Sequence, residues 1–205
     1  MVLATTGSRR PALQPAWLMA ALAAIAVGLV SYRYLVPGAP GLSPNVVANP
    51  FTRYGFLTVH AGFAATALIL GPWQFLPRLR ASRPRLHRWI GRSYATCCLI
   101  AGAAGLALAI GTTSGLPAAL GFGFLAVASI GATSRAWIAA TRRDFVAHRR
   151  FMIRSYALTF AAVTLRIYLP ISLVLHFDFV TAYQVISWLA WVPNLILAEI
   201  YIRRA

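Results

Sequence analysis

Six apolar runs, each close to the length of a bilayer-crossing helix, constrain this chain more than anything else in it. They fall at about residues 16–36, 54–76, 89–110, 116–140, 151–169 and 180–202. About 20 apolar residues are needed to carry a helix across a hydrocarbon core. A lone strand there would leave its backbone N–H and C=O groups without partners, so each run is expected to be helical. The predicted fold is all-α: a polytopic membrane protein with six transmembrane helices in one membrane domain spanning 1–205. The stretch from Ala16 to Val36 follows Arg9 and Arg10, as a signal peptide would. It is longer than a usual signal core and no small-x-small cleavage pattern follows, so a retained first helix is expected.

Charge agrees with a membrane setting. Charged residues make up 11% of the chain and mean hydropathy is +0.70, whereas a soluble domain carries about a quarter charged residues. The net charge of +16 suggests nucleic acid until its placement is considered. Every basic residue is arginine, and most sit between the apolar runs. Such clusters orient a membrane protein and face anionic headgroups. A lipid bilayer with anionic headgroups is therefore the expected partner, and nucleic acid is not. Arg9 and Arg10 precede the first run. Arg78, Arg80, Arg83, Arg85, Arg88 and Arg92 lie between and beside the second and third. Arg142, Arg143, Arg149 and Arg150 lie between the fourth and fifth, and Arg203 and Arg204 follow the sixth. Arg33, Arg53 and Asp178 fall on the other side. The alternation predicts a multi-pass protein of the inner (plasma) membrane with N- and C-termini cytoplasmic. Cys97 and Cys98 are adjacent and lie within an apolar run. Neighbouring cysteines do not readily meet disulfide geometry, so both are read as small packing residues.

The sequence also repeats itself. Residues 87–95 read HRWIGRSYA and residues 148–157 read HRRFMIRSYA, the same pattern with one residue inserted. Upstream, GFLTVHAG at 55–62 is matched by GFLAVASI at 123–130. Runs two and three thus resemble a helical hairpin copied into runs four and five. A duplicated four-helix core over 54–169 is expected, flanked by 16–36 and 180–202.

Chemistry in such a core is sought first at its histidines. His87 and His148 are equivalent in the repeat and open helices that run in the same direction. In an up-down bundle those helices are diagonal, roughly 14 Å apart if neighbouring axes are 8–10 Å apart. Two imidazoles could face each other across a flat macrocycle in that gap, and histidine is a common axial ligand of haem iron. Both could equally be solvated residues facing headgroups. Below His87, a lane of Gly91, Ala95, Cys98, Gly102 and Gly105 either makes room for a porphyrin or packs a neighbouring helix closely. Arg92 and Arg154 could neutralise propionates or reach to lipid phosphates. His60 lies well inside the second run, where an ionisable group is a functional candidate. Its counterpart in the repeat is Ala128, so a second symmetric pair is absent. His176 could complete an asymmetric outer site with His60. Arg166, deep in the fifth run, could pair with Asp178 or with an anionic group of a cofactor. Glu199 could pair with an inner arginine. Three acids are too few for a carboxylate dyad or relay, and no zinc-protease, phosphate-loop or nucleophile-elbow pattern occurs.

HAGFAATALILGPWQFLPRLR at 60–80, LHRWIGRSY at 86–94 and HRRFMIRSYALTFAAVTLRIYLP at 148–170 resemble bacterial predicted membrane proteins of domain-of-unknown-function family 2306. That resemblance implies membership and no activity. A looser similarity is to transmembrane b-type cytochromes of the b-561 kind, whose histidines pair across alternate helices of a four-helix core. It implies haem b near the cytoplasmic side, held by His87 and His148, with Gly91 beside it. Electron transfer with a quinol or a redox partner protein would follow. Ala128 departs from that pattern at the outer site. The alternative is a non-redox small-molecule transporter or an accessory membrane subunit.

Overall fold

The computed structural model describes residues 15–36 and 54–204, so Arg9, Arg10 and Arg53 lie outside the described residues. Among the described residues six helical segments are long and apolar enough to cross a membrane. Span one is α1 (Pro15–Ser31), which tightens into a 3-10 turn over Tyr32–Leu35. Span two is α2 (Gly55–Gln74), followed by the short α3 (Pro77–Ser82). Span three is α4 (Pro84–Ile110) and span four is α5 (Leu116–Thr141). Span five comprises α6 (Phe145–Thr159) and α7 (Ala161–Val174); span six comprises α8 (Phe179–Leu189) and α9 (Val192–Arg204).

The helix starts follow familiar chemistry. Proline occupies the first turn of α3, α4 and α5, where its missing N–H is no loss. Asp144 and Asp178 cap α6 and α8, accepting from Ala147 N–H and Thr181 N–H at 2.9 Å each. Gly115 before α5 has φ +91°, a left-handed setting that suits glycine. Its chain is tied to span six: Gln184 Nε2 donates to Ser114 O at 2.8 Å, and Trp188 Nε1 donates to Pro117 O at 3.1 Å.

Spans two, three, four and the α6 half of span five pack in a closed ring. Span one lies against span two and α7. Within span six, α8 packs on span four and α7, while α9 packs on α6. Spans two and four start at one face, which also carries the end of α7; spans three and five start at the other, the arginine-rich face.

The ring is closed across its middle by hydroxyls. Tyr94 of span three, fully buried, meets Ser155 Oγ of α6 at 2.9 Å and Thr159 Oγ1 at 3.2 Å. Thr133 of span four joins Ser155 at 2.7 Å. Around this node pack Ala67, Cys97, Cys98, Ala136 and Met152. Both cysteines are buried and free. Replacing Ser155 with Ala leaves Thr133 without its side-chain partner and Tyr94 with only its longer bond. The expected cost is about 1 kcal/mol, measured as a lower midpoint in denaturant or heat.

Candidate functional site

The inserted residue in the second motif copy decides what faces the ring interior. His87 and Tyr94 are seven residues apart, as are His148 and Ser155. Seven residues make nearly two helical turns, so each histidine shares a face with a member of the hydroxyl node. Tyr156, the motif partner of Tyr94, is rotated away. It packs instead against span two, where a Cβ at Gly71 would collide with its ring. The two copies therefore occupy different environments: Ser93 is exposed while Ser155 is buried.

His87 and His148 thus lie on facing sides of spans three and five, about 10 Å toward the arginine-rich face from the node. The rings are close enough for their charges to interact, and Arg80 and Arg88 are charged neighbours of His87. Both histidines are half-buried. His148 Nδ1 lies 2.8 Å from Ala136 O. A carbonyl only accepts, so Nδ1 carries a proton and the acceptor of the neutral ring would be Nε2. Among the described residues His87 Nδ1, Gln74 Nε2, Tyr54 Oη and Tyr156 Oη are buried without hydrogen-bond partners. Gln74 reaches over Gly91, one turn from His87, where a Cβ would stand 2.9 Å from Gln74 Oε1. Buried polar atoms normally have partners, so two orphans, His87 Nδ1 and Gln74 Nε2, within a turn of Gly91 call for an explanation.

The small-residue lane on span three is a packing surface along much of its length. Ile130 lies over Gly102, and His60 over Gly105. Cys98 lies 3.6 Å from Thr159 Oγ1.

The proposed arginines separate. Arg92 is exposed. Arg154 is part of a two-pronged ion pair with Glu199 of α9, its second bond 2.9 Å long, and its guanidinium stands 5.0 Å from the Phe151 ring. The expected pairing of Glu199 with an inner arginine is thereby identified as Arg154, the one salt bridge among the described residues. The alternative pairing of Arg166 with Asp178 is not formed. Asp178 caps α8, and the N–H and hydroxyl of Thr181 hold its carboxyl below the usual range. Arg166 donates to Ala162 O at 2.9 Å.

At the other end of the core, His60 Nδ1 lies 2.9 Å from Ala101 O of span three. Its electrostatic neighbour is Arg166. His176 is exposed in the turn between spans five and six, with φ 58°. It shares no hydrogen-bond partner with His60.

Sequence reasoning missed Gln74, Tyr156, Arg80 and Arg88 as site residues. One signal was available for Gln74: it is the only side-chain amide in span two.

A model described as "Predicted membrane protein (DUF2306)" matches residues 57–202. No curated protein and no solved structure matches the chain. The matched stretch holds all the groups just described from spans two to six.

Proposed function

The chain belongs to the DUF2306 family of predicted membrane proteins, a membership that assigns no activity, and from the geometry of its histidines we propose a b-type haem protein that carries electrons at the arginine-rich side of the membrane. The observation that carries this reading is the pair His87 and His148 on facing sides of diagonal helices. The Ala136 carbonyl fixes the His148 ring through Nδ1, which would leave Nε2 to face a metal. His87 is buried with its Nδ1 unpartnered.

The residues suit haem b. Two neutral imidazoles supply axial donors. Between His87 and Tyr94 span three rises about 10 Å, and Gly91 presents no side chain on the way. Gln74 occupies part of this space, yet its Nε2 has no bond to lose on moving aside. Arg80 and Arg88 are the cations nearest His87, and they suit propionates better than Arg154, which Glu199 already holds. Arg92, exposed, suits lipid phosphate as well as propionate. When bound, the haem would supply a one-electron redox centre. The chain's part is to orient two imidazoles, exclude water with the Tyr94 node and balance anionic charge with arginine. A quinol or a redox protein is the proposed exchange partner. The arginine-rich face is proposed to be cytoplasmic, in an inner membrane with anionic headgroups.

The deciding measurement is an absorbance spectrum of the purified chain, made with adequate haem supply, before and after dithionite. A Soret band that shifts on reduction, with sharpened α and β bands, is expected. A colourless protein sinks the reading. It would favour the second one, a non-redox carrier or accessory subunit, which rests on the ionised side chain of Arg166 lying inside a span without an acidic partner.

A further inference from the structure

Where α6 meets α9, at the arginine-rich face, the surface is concave. A recess of about 570 Å³ is lined by Asp144, Arg150, Phe151 and Arg154 of α6 and by Glu199 and Arg203 of α9, with aliphatic groups between them. Arg150 and Arg203 are exposed and form its rim. One turn deeper on each helix stand Arg154 and Glu199. Their ion pair joins the two helices. It uses Arg154 Nε and Nη2, so Nη1 lies outside the fork. Phe151 steadies the same guanidinium, whose carbon is 5.0 Å from the ring centroid. Both carboxylates of the recess already have work: Glu199 holds Arg154, and Asp144 accepts from Ala147 N–H to cap α6. Three guanidiniums against two carboxylates leave the lining with a net positive charge.

A second recess, of about 380 Å³, continues along α9 and shares Glu199 and Arg203 with the first. The rest of its lining is Val192, Leu195, Ile196 and Ile200. Ile196 and Ile200 are 54% and 41% exposed. From Arg203 back to Val192 the helix rises about 16 Å. One leaflet is about 15 Å deep, half of a hydrocarbon core of about 30 Å. The apolar track is therefore as long as one leaflet is deep.

A positive recess that opens onto such a track fits a molecule with an anionic head and an apolar tail. We propose that the cleft between α6 and α9 binds one anionic phospholipid. Its phosphodiester lies against Arg150, Arg203 and the Nη1 group of Arg154, and one acyl chain follows Val192, Leu195, Ile196 and Ile200. Guanidinium suits phosphate oxygens because its donors are charged and forked. A zwitterionic head would bring its own ammonium beside Arg150 and Arg203, which opposes binding. Free phosphate has no chain to cover the track. An arginine-rich face attracts anionic headgroups diffusely; this cleft holds one lipid per chain. It involves neither His87 nor His148 and is independent of haem.

The test uses the full chain in mild detergent. Phosphatidylglycerol or phosphatidylcholine with matched acyl chains is titrated in, and bound lipids are counted by native mass spectrometry. One tightly held phosphatidylglycerol is expected, with phosphatidylcholine weaker by about tenfold or more. The double variant Arg150→Gln, Arg203→Gln should weaken that lipid on the order of 30-fold at low salt. Arg83→Gln with Arg85→Gln makes the same charge change elsewhere on the face and should leave it bound. All four arginines are exposed, so both variants should fold; their unfolding midpoints check this. Inorganic phosphate and soluble glycerophosphoglycerol lack the chain and should not displace the lipid. Equal losses in the two variants, no preference for phosphatidylglycerol, displacement by phosphate, or a lipid-free dimer each overturn the site.

Discussion

Replacing His148 with Ala is expected to remove the haem spectrum altogether, and His87→Ala should do the same. On the proposed reading each substitution would delete one of the two axial donors. Loss of an orienting partner alone weakens a metal site by about 10–100-fold, so loss of the ligand itself should exceed that. His60→Ala is the control. It lies at the other end of the core and should leave the spectrum unchanged. The measurement is the haem-to-protein ratio from the reduced-minus-oxidised spectrum, with the unfolding midpoint recorded on the same samples. Unchanged spectra in both His87→Ala and His148→Ala would remove these residues from the iron.

The largest effect on folding is expected at Gly121, where span four crosses α8. A Cβ there would collide with the Ser187 hydroxyl and stand 3.0 Å from Ser187 backbone carbon. A side chain can rotate away, but a carbonyl carbon inside a helix cannot. The helices must therefore separate, which strains the Ser187 and Trp188 bonds to Pro117. Gly121→Ala should cost about 1–3 kcal/mol, and Gly121→Leu should prevent recovery of a monodisperse protein. Gly123, two residues on, has open space at its Cβ position. Gly123→Ala should stay within about 0.5 kcal/mol of wild type. The comparison separates a loss of close approach from a general effect on helix propensity, because both sites gain the same methyl in the same helix.

Hydropathy was a good guide to the number of spans and a poorer one to their ends. Spans three and five begin at Pro84 and Phe145, several residues before their apolar runs. The extra turns are written in arginine, histidine and aromatic residues, which continue a helix into the headgroup zone without adding to an apolar count. The interruption at Phe160 had no local mark, whereas the one at Ala190–Trp191 falls just before Pro193, which cannot continue the preceding hydrogen-bond ladder. Pro170 lies within α7, where the helix continues, while Phe160 has neither proline nor glycine beside it. Breaks of this kind are settled by what neighbouring helices require. The candidate site was legible where it depended on sequence register: the repeated histidines, and Glu199 as a partner for an arginine. What the inserted residue did to phase was also computable, since one residue is about 100° of helix. The bond between His60 and the Ala101 carbonyl was not, because spans two and three must pack before those groups meet.

The hydroxyl node has a consequence for what may cross this molecule. Its bonds run from span three to span five and span four, across the bundle and parallel to the membrane plane. They do not form a ladder from face to face. Tyr94, at its centre, is fully buried, and apolar groups pack around it. A solute entering from either face therefore meets a closed partition at mid-depth. On the proposed haem reading, only an electron would pass such a partition, and the bilayer around it would keep its voltage.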